Sequence, residues 1–294
     1  MLKKKKMMNV RLFINRIKLS IQKRTCVQVN KKTRNAWTKR GYNNTPLVSV
    51  VVQSHNKSLQ ILHILPKLRA YSGVEIIVID DGSDFVHTDR LVKALNGINE
   101  FVIRCNDLYE NITYDRAIRF ANGQYVALLQ DDDDFDGAAL WIEKAIAIFN
   151  KYNDLAILGG KWGYDLDFDV ENGIVNNTRT VDGEFCYVMG VNRAPMWINR
   201  PLYLDKLKHI DFSYVPFQYD DYELCCRAWL NGLKVGWYNA GFHSLSVGGM
   251  RLWNNAFLQE QISHNGHLLC KQYADKSDFI KRKVIEANKL INSK

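Results

Sequence analysis

Short apolar runs alternate with helical patterns through the first half of the chain. The runs predict buried β-strands because β-branched residues occupy nearly consecutive positions; they are Val48–Val52, Val74–Ile79, Phe101–Arg104 and Tyr125–Leu129. Between them, apolar residues recur at helical spacing, for example from Leu59 to Tyr71 and from Ile112 to Ala121. This alternation predicts an α/β fold in which a mostly parallel central sheet carries helices on both faces.

The second half of the chain has a less regular pattern. The predicted elements are a strand at Leu155–Gly160, loops and a hairpin over 162–188, a short helix at Pro201–His209, a helix at Asp220–Asn231, a strand at Lys234–Tyr238 and a helix at Ser277–Ile291. Helical spacing around His264, His267 and Cys270 could suggest a soft-metal site. Asn265-Gly266 is expected to interrupt a helix there, which argues against that site.

Polar clusters follow three of the predicted strands. They are Gln53–Asn56, Asp80–Ser83 and Asp131–Asp134. In an open α/β sheet, ligands bind beyond the carboxyl ends of the strands. The pattern therefore predicts one binding site built from these three segments.

The four consecutive aspartates at 131–134 indicate a divalent cation. Their like charges repel, and hard carboxylate oxygens are natural ligands for Mg²⁺ or Mn²⁺. A solvated acidic loop is the alternative, but this run directly follows a buried strand. We expect a site for Mn²⁺ or Mg²⁺ that also leaves room for diphosphate oxygens.

Charge is distributed unevenly along the chain. The 294 residues carry a formal net charge of +9, yet residues 1–45 contain 14 basic and no acidic side chains. The remainder has 26 basic and 31 acidic side chains, a net of −5. Apolar residues interspersed in the leader would give at best an amphipathic basic helix. It could be a disordered solvated tail, a peripheral contact with anionic membrane, or a targeting or nucleic-acid segment. Its few aromatic residues argue against nucleic acid.

The cysteine pattern and the hydropathy of the sequence indicate a cellular location. The six cysteines form no CxxC pair, which favours reduced thiols. No apolar run reaches the roughly 18 residues that a membrane-spanning helix needs. We expect a cytoplasmic location, with peripheral membrane contact as the alternative.

Four motifs together resemble the GT-A glycosyltransferases of family 2. In chain order they are VSVVVQSHN, EIIVIDDGS, GQYVALLQDDDD and YDDYELCCR. The resemblance covers about residues 46–245. It implies three regions: a leader at 1–45, a GT-A catalytic domain at 46–250 and a C-terminal helical extension at 251–294. The catalytic domain would divide into a nucleotide-sugar half (46–135) and an acceptor half (136–250), with a smaller acceptor-side subregion beside the central sheet.

The resemblance also implies residue roles on the donor side. The residues expected to bind the nucleotide sugar are Gln53, His55, Asn56, Asp81, Arg116 and Asp131. His55 stands where the family has an aromatic residue. An exposed helical arginine is the alternative for Arg116. A UDP-sugar is the expected donor.

For the metal, the resemblance implies Asp132, supported by Asp134 and His243. Gln130 occupies the position of the family's first aspartate, a departure from its pattern for which Asp133 or Asp134 could compensate. A plain hydrogen-bonding role is the alternative for His243.

The implied reaction inverts the anomeric centre by a single displacement and needs a base. Asp220 and Asp221 match the family's Glu–Asp pair, and Asp221 is the expected base. Two carboxylates also suit a helix N-terminus for electrostatic reasons alone. Glu223 and Arg227 are spaced for an ordinary helix ion pair, which competes with a phosphate role for Arg227.

Acceptor binding is the least specific expectation. Aromatic residues that would suit a groove for a glycan, glycoconjugate or protein acceptor are Trp162, Tyr164, Tyr187, Trp197, Tyr214, Phe217 and Tyr219. Two other functions compete with transfer: a non-catalytic binding module, and a nucleotidyltransferase. The second would need a glycine-rich loop after the first strand, and Gln53–Ser58 contains no glycine.

Overall fold

The computed structural model describes residues 2–137, 139–169, 171, 173–179, 185–193, 195–245 and 255–292. Contacts divide the chain into two units, Met1–Asn43 and Asn44–Lys294, and each is described by itself. The boundary expected between residues 250 and 251 lies outside the described residues.

In the first unit, Leu2–Lys39 form the helix α1. Successive residues on an α-helix point about 100° apart, so the consecutive Leu12, Phe13 and Ile14 face three different directions, and all three are exposed. The apolar side chains follow no single stripe along α1. The helix is basic without being amphipathic, so it falls short of the amphipathic basic helix that the sequence pattern allowed at best.

The second unit contains the remaining elements. Its helices are α2 (Ser58–Arg69), α3 (Phe85–Ala94), α4 (Tyr109–Phe120), α5 (Leu140–Lys151), α6 (Arg200–Leu202), α7 (Asp220–Leu230), α8 (Asn255–Tyr273) and α9 (Ser277–Asn292). Its strands are β1 (Val48–Ser54), β2 (Glu75–Asp81), β3 (Glu100–Cys105), β4 (Tyr125–Leu129), β5 (Asp133–Phe135), β6 (Leu155–Gly159), β7 (Gly163–Asp169), β8 (Gly173–Thr178), β9 (Phe185–Tyr187), β10 (Gly190–Val191), β11 (Met196–Asn199), β12 (Lys234–Tyr238) and β13 (Phe242–Ser244). A π-helical turn at Tyr203–Leu207 follows α6 directly.

Eight strands form the central sheet in the order β3-β2-β1-β4-β11-β6-β12-β9. The pairs β1–β2, β1–β4, β2–β3 and β6–β12 are parallel, whereas β11 runs antiparallel to both of its neighbours. Two smaller sheets, β10-β7-β8 and β13-β5, lie beside it. The expected α/β fold with a mostly parallel sheet flanked by helices is confirmed.

Burial explains why the predicted strands form. Every residue of β1, β2 and β4 is buried, as the continuous apolar runs indicated. Two buried polar side chains in these strands satisfy each other, since the Ser49 hydroxyl donates to Glu75. Glu75 also accepts from the backbone and side-chain amides of Asn122. Buried polar groups paired in this way cost little stability.

Helix α8 runs through a position where a break was expected. Asn265 and Gly266 lie inside the continuous helix Asn255–Tyr273, so the predicted interruption was wrong. His267 and Cys270 nevertheless bond to different backbone carbonyls, those of Ser263 and Asp169. They do not combine into a metal site.

Among the described residues, no helix combines the length and the apolarity that crossing a membrane requires. All six cysteines are free.

Candidate active site

The carboxyl ends of β1, β2 and β4 meet at one edge of the sheet, because these strands are adjacent and parallel. The backbone N–H of His55 donates to Asp131 Oδ2 at 3.0 Å. The His55 ring Nδ1 donates to the backbone carbonyl of Asp81 at 2.8 Å. The structure therefore brings these three predicted residues into direct contact.

Asn56 connects the first two strand-end loops. Its backbone N–H donates to Ser83 Oγ at 2.9 Å, and its side-chain oxygen accepts from the backbone N–H of Asp84 at 2.8 Å. The residue adopts a left-handed conformation with φ +58°. These contacts give Asn56 a role in positioning the loops.

Asp81 is buried, and its carboxylate faces the start of α4. It accepts from the backbone N–H groups of Leu108 and Tyr109 at 2.9 and 2.8 Å. A carboxylate at this position satisfies otherwise unpaired helix donors and interacts favourably with the helix dipole. Asp81 therefore fixes the first turn of α4, which borders the site.

Gln53 lies deep in the strand-end cluster and is only 2% exposed. It borders a small depression together with Tyr114, Gln130 and Asp131. Within the described part of the chain, neither atom of its amide group has a hydrogen-bond partner. Because buried polar atoms are rarely left unpaired, this amide is suited to contacting a bound ligand.

The aspartate run divides among several partners. Asp131 pairs with Lys57 at 3.1 Å; burial raises the pKa of its carboxyl, while Lys57 and the His55 N–H partly offset the rise. Asp133 accepts from the Gln130 N–H at 2.8 Å, and burial raises its pKa to about 8. Asp132 is buried, and among the described residues its Oδ1 has no hydrogen-bond partner.

The Asp134 carboxylate is held by two side chains, Lys67 and His63. Its carboxylate lies 3.1 Å from His63 Nε2 and 2.5 Å from Lys67 Nζ. Burial opposes ionisation, but bonds from Lys67 and His63 outweigh it, so the pKa of Asp134 is lowered. The pairing of β5 with β13 places His243 opposite, with Nε2 at 3.4 Å from the same carboxylate.

A metal ion needs several free donors. The described residues contain no group of three or more His, Cys, Asp and Glu side chains that could hold one. Lys67 and His63 occupy the Asp134 oxygens that a metal would use. Of the residues predicted as ligands, Asp132 alone keeps a carboxylate oxygen that is unpaired within the described region.

A cavity of about 340 Å³ adjoins the strand ends. The described residues that line it are Tyr109, Glu110, Gln130, Asn176, Asn192, Arg193, Phe217, Gln218, Tyr219, Asp221, Tyr222 and Ile262. Its walls come from α4, the end of β4, β8, the segment after β10, α7 and α8. Its volume is at the lower end of the range for small-molecule sites.

The two carboxylates predicted as catalytic have different environments. Asp220 is buried and paired with Arg193. Asp221 is half-buried, lines the cavity and accepts from the Tyr222 N–H at 2.9 Å. Burial raises the pKa of Asp221 to about 7; Arg193 opposes the rise and Asp220 adds to it. A carboxylate with that pKa is suited to accept a proton near neutral pH.

Arg193 was missed by the sequence analysis. Its Nη1 donates to Glu110 at 3.0 Å, its Nη2 donates to Asp220, and the guanidinium lies 4.8 Å from the ring centroid of Tyr114. Arg193 is buried, and the two carboxylates raise its pKa further above its ordinary value against the effect of burial. A lone arginine outside any periodic element gives no sequence signal of such a role.

Arg116 has a different environment from the one predicted. Its side chain is 64% exposed, lies 3.6 Å from Asp115 and covers the ring of Phe212. With Arg119, it lines a separate shallow depression. Arg193, rather than Arg116, is the arginine that lies beside the predicted catalytic pair.

The backbone around the cavity is strained. Gln218 and Tyr219, immediately before α7, have φ values of +78° and +66°, and Tyr109 has φ +60°. Such conformations are costly for residues other than glycine, and they concentrate at functional sites. They fix the direction from which α7 begins and, with it, the position of Asp221.

Asn265 of α8 supports that strained loop. It is fully buried, and its side-chain nitrogen lies within hydrogen-bonding distance of the carbonyls of Tyr214, Phe217 and Gln218, at 2.8–3.1 Å. Helix α8 therefore braces the segment that precedes the predicted catalytic pair. The asparagine, taken as a helix breaker from sequence, serves this loop instead.

The aromatic residues expected at the acceptor groove separate into three groups. Phe217 and Tyr219 line the cavity. Tyr164 contacts the cavity residue Tyr222 edge-on, with centroids 5.7 Å apart. The others are either core or surface: Tyr187, Trp197 and Tyr214 are buried, and Trp162 is 46% exposed.

Comparison with known proteins gives a family match. Residues 49–225, more than half of the chain, match the model described as Glycosyl transferase family 2. A stretch of 94 residues is 28% identical to the glucosyl-dolichyl phosphate glucuronosyltransferase of Haloferax volcanii. That stretch spans 31% of this chain and only 29% of the curated relative.

Two solved structures share the fold. Staphylococcus aureus TarS 1-349 in complex with UDP-GlcNAc aligns with a TM-score of 0.52 at 18% identity, over 70% of this chain and 60% of that chain. The mannosyltransferase PcManGT from Pyrobaculum calidifontis, in complex with GDP-Man and Mn²⁺, aligns with a TM-score of 0.52 at 12% identity. This second alignment covers 88% of this chain and 81% of that one. At such identities the likeness establishes the fold alone.

Proposed function

Because the chain belongs to glycosyl transferase family 2, we propose that it is a metal-dependent inverting glycosyltransferase. It would move a sugar from a nucleoside-diphosphate sugar, with a UDP-sugar as the first candidate, to an acceptor hydroxyl. The observation that carries the proposal is Asp221, a carboxylate that lines the cavity and whose pKa lies near 7. Its neighbour Asp220 is paired with Arg193 and is not available as a base.

The reaction is a single displacement. Asp221 takes the proton of the acceptor hydroxyl while that oxygen forms a bond to C1 of the donor sugar. The bond between C1 and the diphosphate oxygen breaks on the opposite face, the electron pair leaves with the nucleoside diphosphate, and the configuration at C1 inverts. Arg193 keeps the buried charges of Glu110 and Asp220 compensated during this step.

The donor would bind at the strand ends. Gln53 offers a buried amide whose polar atoms are unpaired in the described part of the chain. His55 and Asp131 contact each other beside it, and Asp81 orients the first turn of α4. These contacts support the nucleotide side of the site, whereas the environment of Arg116 does not support its assignment there.

A divalent cation, Mn²⁺ or Mg²⁺, fits Asp132 through the oxygen that lacks a partner among the described residues. Magnesium-type sites commonly use one or two carboxylates and complete their coordination with phosphate oxygens. When bound, the cation would neutralise charge on the diphosphate leaving group. Asp134 does not fit this role, since Lys67 and His63 already hold its carboxylate. His243, whose Nε2 lies 3.4 Å from that carboxylate, stays a proposed ligand.

The test is a nucleotide-sugar hydrolysis panel with Mn²⁺ on the full chain. We expect turnover of at least one donor, its loss in Asp132→Ala, and a reduction of about 10²–10⁴-fold in Asp221→Asn. Absence of binding and hydrolysis for every donor would refute the proposal. An NMR assignment of the product's anomeric configuration tests inversion, and a retained configuration would reject the single displacement.

We also propose a cytoplasmic protein whose helix α1 contacts anionic membrane through charge. Residues 1–45 carry 14 basic side chains and no acidic one. Because the apolar side chains of α1 form no stripe, adsorption would be electrostatic and would weaken with salt. Co-sedimentation with vesicles containing phosphatidylserine, at low and high salt, tests this contact; binding that is equal on neutral vesicles would contradict it.

A further inference from the structure

The described lining of the cavity carries an excess of negative charge. Its charged residues are Glu110, Asp221 and Arg193, and Asp220 lies directly behind Arg193. Both Nη groups of Arg193 are engaged, one with Glu110 and the other with Asp220. Among the described lining residues Arg193 is the one cation, and its charge is already shared between two carboxylates. Its Nε is buried and has no hydrogen-bond partner among the described residues.

The rest of the described lining is uncharged and hydrogen-bonding. Amide groups come from Gln130, Asn176, Asn192 and Gln218. Asn176 donates to the Tyr222 hydroxyl at 3.0 Å, which orients its amide. The Asn192 side-chain oxygen is buried and has no hydrogen-bond partner in the described region. An unpaired buried acceptor of this kind is suited to a hydroxyl donor on a ligand.

Aromatic rings complete the walls. Tyr109 and Phe217 are stacked with centroids 5.6 Å apart, and Tyr219 and Tyr222 are tilted at 5.8 Å. Tyr109 and Tyr219 have left-handed backbones. Rings of this size supply rigid apolar faces at low entropic cost. Apolar faces beside amides and hydroxyls match the alternating C–H and O–H surface of a sugar.

We propose that the acceptor end that reaches Asp221 is an uncharged sugar residue, in preference to a uronic acid or a phosphorylated sugar. The inference rests on the proposed function and deepens it. A carboxylate or phosphate in this cavity would lie near Glu110 and Asp221, and the one cation of the described lining, Arg193, already compensates two carboxylates. Like charges brought together at a desolvated site are strongly disfavoured. A neutral sugar brings no charge for these carboxylates to repel, and it can bond to the amides and stack on the ring faces.

The experiment uses the full chain with UDP and Mn²⁺, so that acceptors bind without being consumed. Binding is measured on a glycan array in which each neutral-ended glycan has a partner that differs only by a carboxylate or phosphate on its terminal residue. We expect at least one neutral-ended glycan to be retained about tenfold or more above its charged partner. Equal or stronger retention of the charged partners, or retention of no neutral-ended glycan, would overturn the inference.

Matched variants locate the binding in the cavity. Tyr219→Ala is expected to lower retention of the neutral glycan, because it removes a ring from the wall. Trp162→Ala removes an exposed ring that does not line the cavity and is expected to leave retention unchanged. Equal loss in both variants would place binding elsewhere. Donor hydrolysis is measured separately: its absence would refute the proposed function, whereas hydrolysis combined with a preference for charged acceptors would refute only this inference.

Discussion

Replacing Arg193 with glutamine should move the pH dependence of turnover. The guanidinium compensates Glu110 and Asp220 and opposes the rise in the pKa of Asp221. Two unit charges about 5 Å apart interact by about 3 kcal/mol at an effective dielectric constant of 20. Allowing for screening, loss of the guanidinium should raise the pKa of Asp221 by about 1–2 pH units.

The consequence for rate follows from the fraction of Asp221 that is ionised. With a pKa of about 7, half of the base is ionised at pH 7. After a rise of about 1–2 pH units, only about one-tenth to one-hundredth would be ionised. Turnover at pH 7 should then fall about 5- to 50-fold and recover toward pH 9. Turnover falls as the pH drops below the pKa of Asp221, because only the ionised carboxylate can accept a proton.

The assay is kcat/KM measured from pH 5.5 to 10 for the wild-type protein and the variant. Breaking a buried ion pair commonly costs about 3–5 kcal/mol, so thermal unfolding must first show that the variant is folded at the assay temperature. Arg227→Gln is the matched control, because Arg227 pairs with Glu223 on the same helix and does not line the cavity. A folded Arg193→Gln protein that loses activity equally at every pH would refute the electrostatic role of Arg193.

Three further outcomes are expected. Asp132→Ala should abolish turnover that depends on added Mn²⁺. Asp134→Asn should retain turnover and lower the melting temperature, because it weakens the pair with Lys67. Titration of activity with Mn²⁺ distinguishes the two variants, and the reverse pattern would exchange the roles of the two aspartates. Asn265→Ala should lower the melting temperature and raise the acceptor KM more than the donor KM, since it releases the loop before α7; equal effects on both KM values would contradict that. Removing residues 1–40 should leave turnover on a soluble acceptor largely intact, and collapse of activity would show that the leader belongs to the catalytic unit.

The central strands could be predicted because a strand that is buried on both faces appears in the sequence as a continuous run of apolar residues. Strands β1, β2 and β4 follow that rule. Strand β11 was not predicted, although it lies in the middle of the sheet. Its four residues, Met196–Asn199, are too few to show a period, and its antiparallel direction is set by neighbours that are distant in sequence.

The candidate site was predictable where polar residues follow a predicted strand. His55, Asp81 and Asp131 meet as expected because three parallel strands end at one edge. Arg193 and Asn265 could not be found in this way, since each acts across more than 25 positions on partners that only the fold brings near. Arg116 was predicted at the site but lies outside it, because its position in the motif did not determine which way its side chain points.

The brace from α8 has a consequence for how the protein is made. The loop before α7 and the catalytic pair leave the ribosome well before residue 265, and the amide that anchors the loop belongs to a later helix. Chains emerge from the N-terminus at a few to about 20 residues per second, so the sheet can form while this loop is still unanchored. The predicted catalytic pair thus gains this support only once α8 has been synthesised, and a product truncated before α8 would carry both aspartates without it.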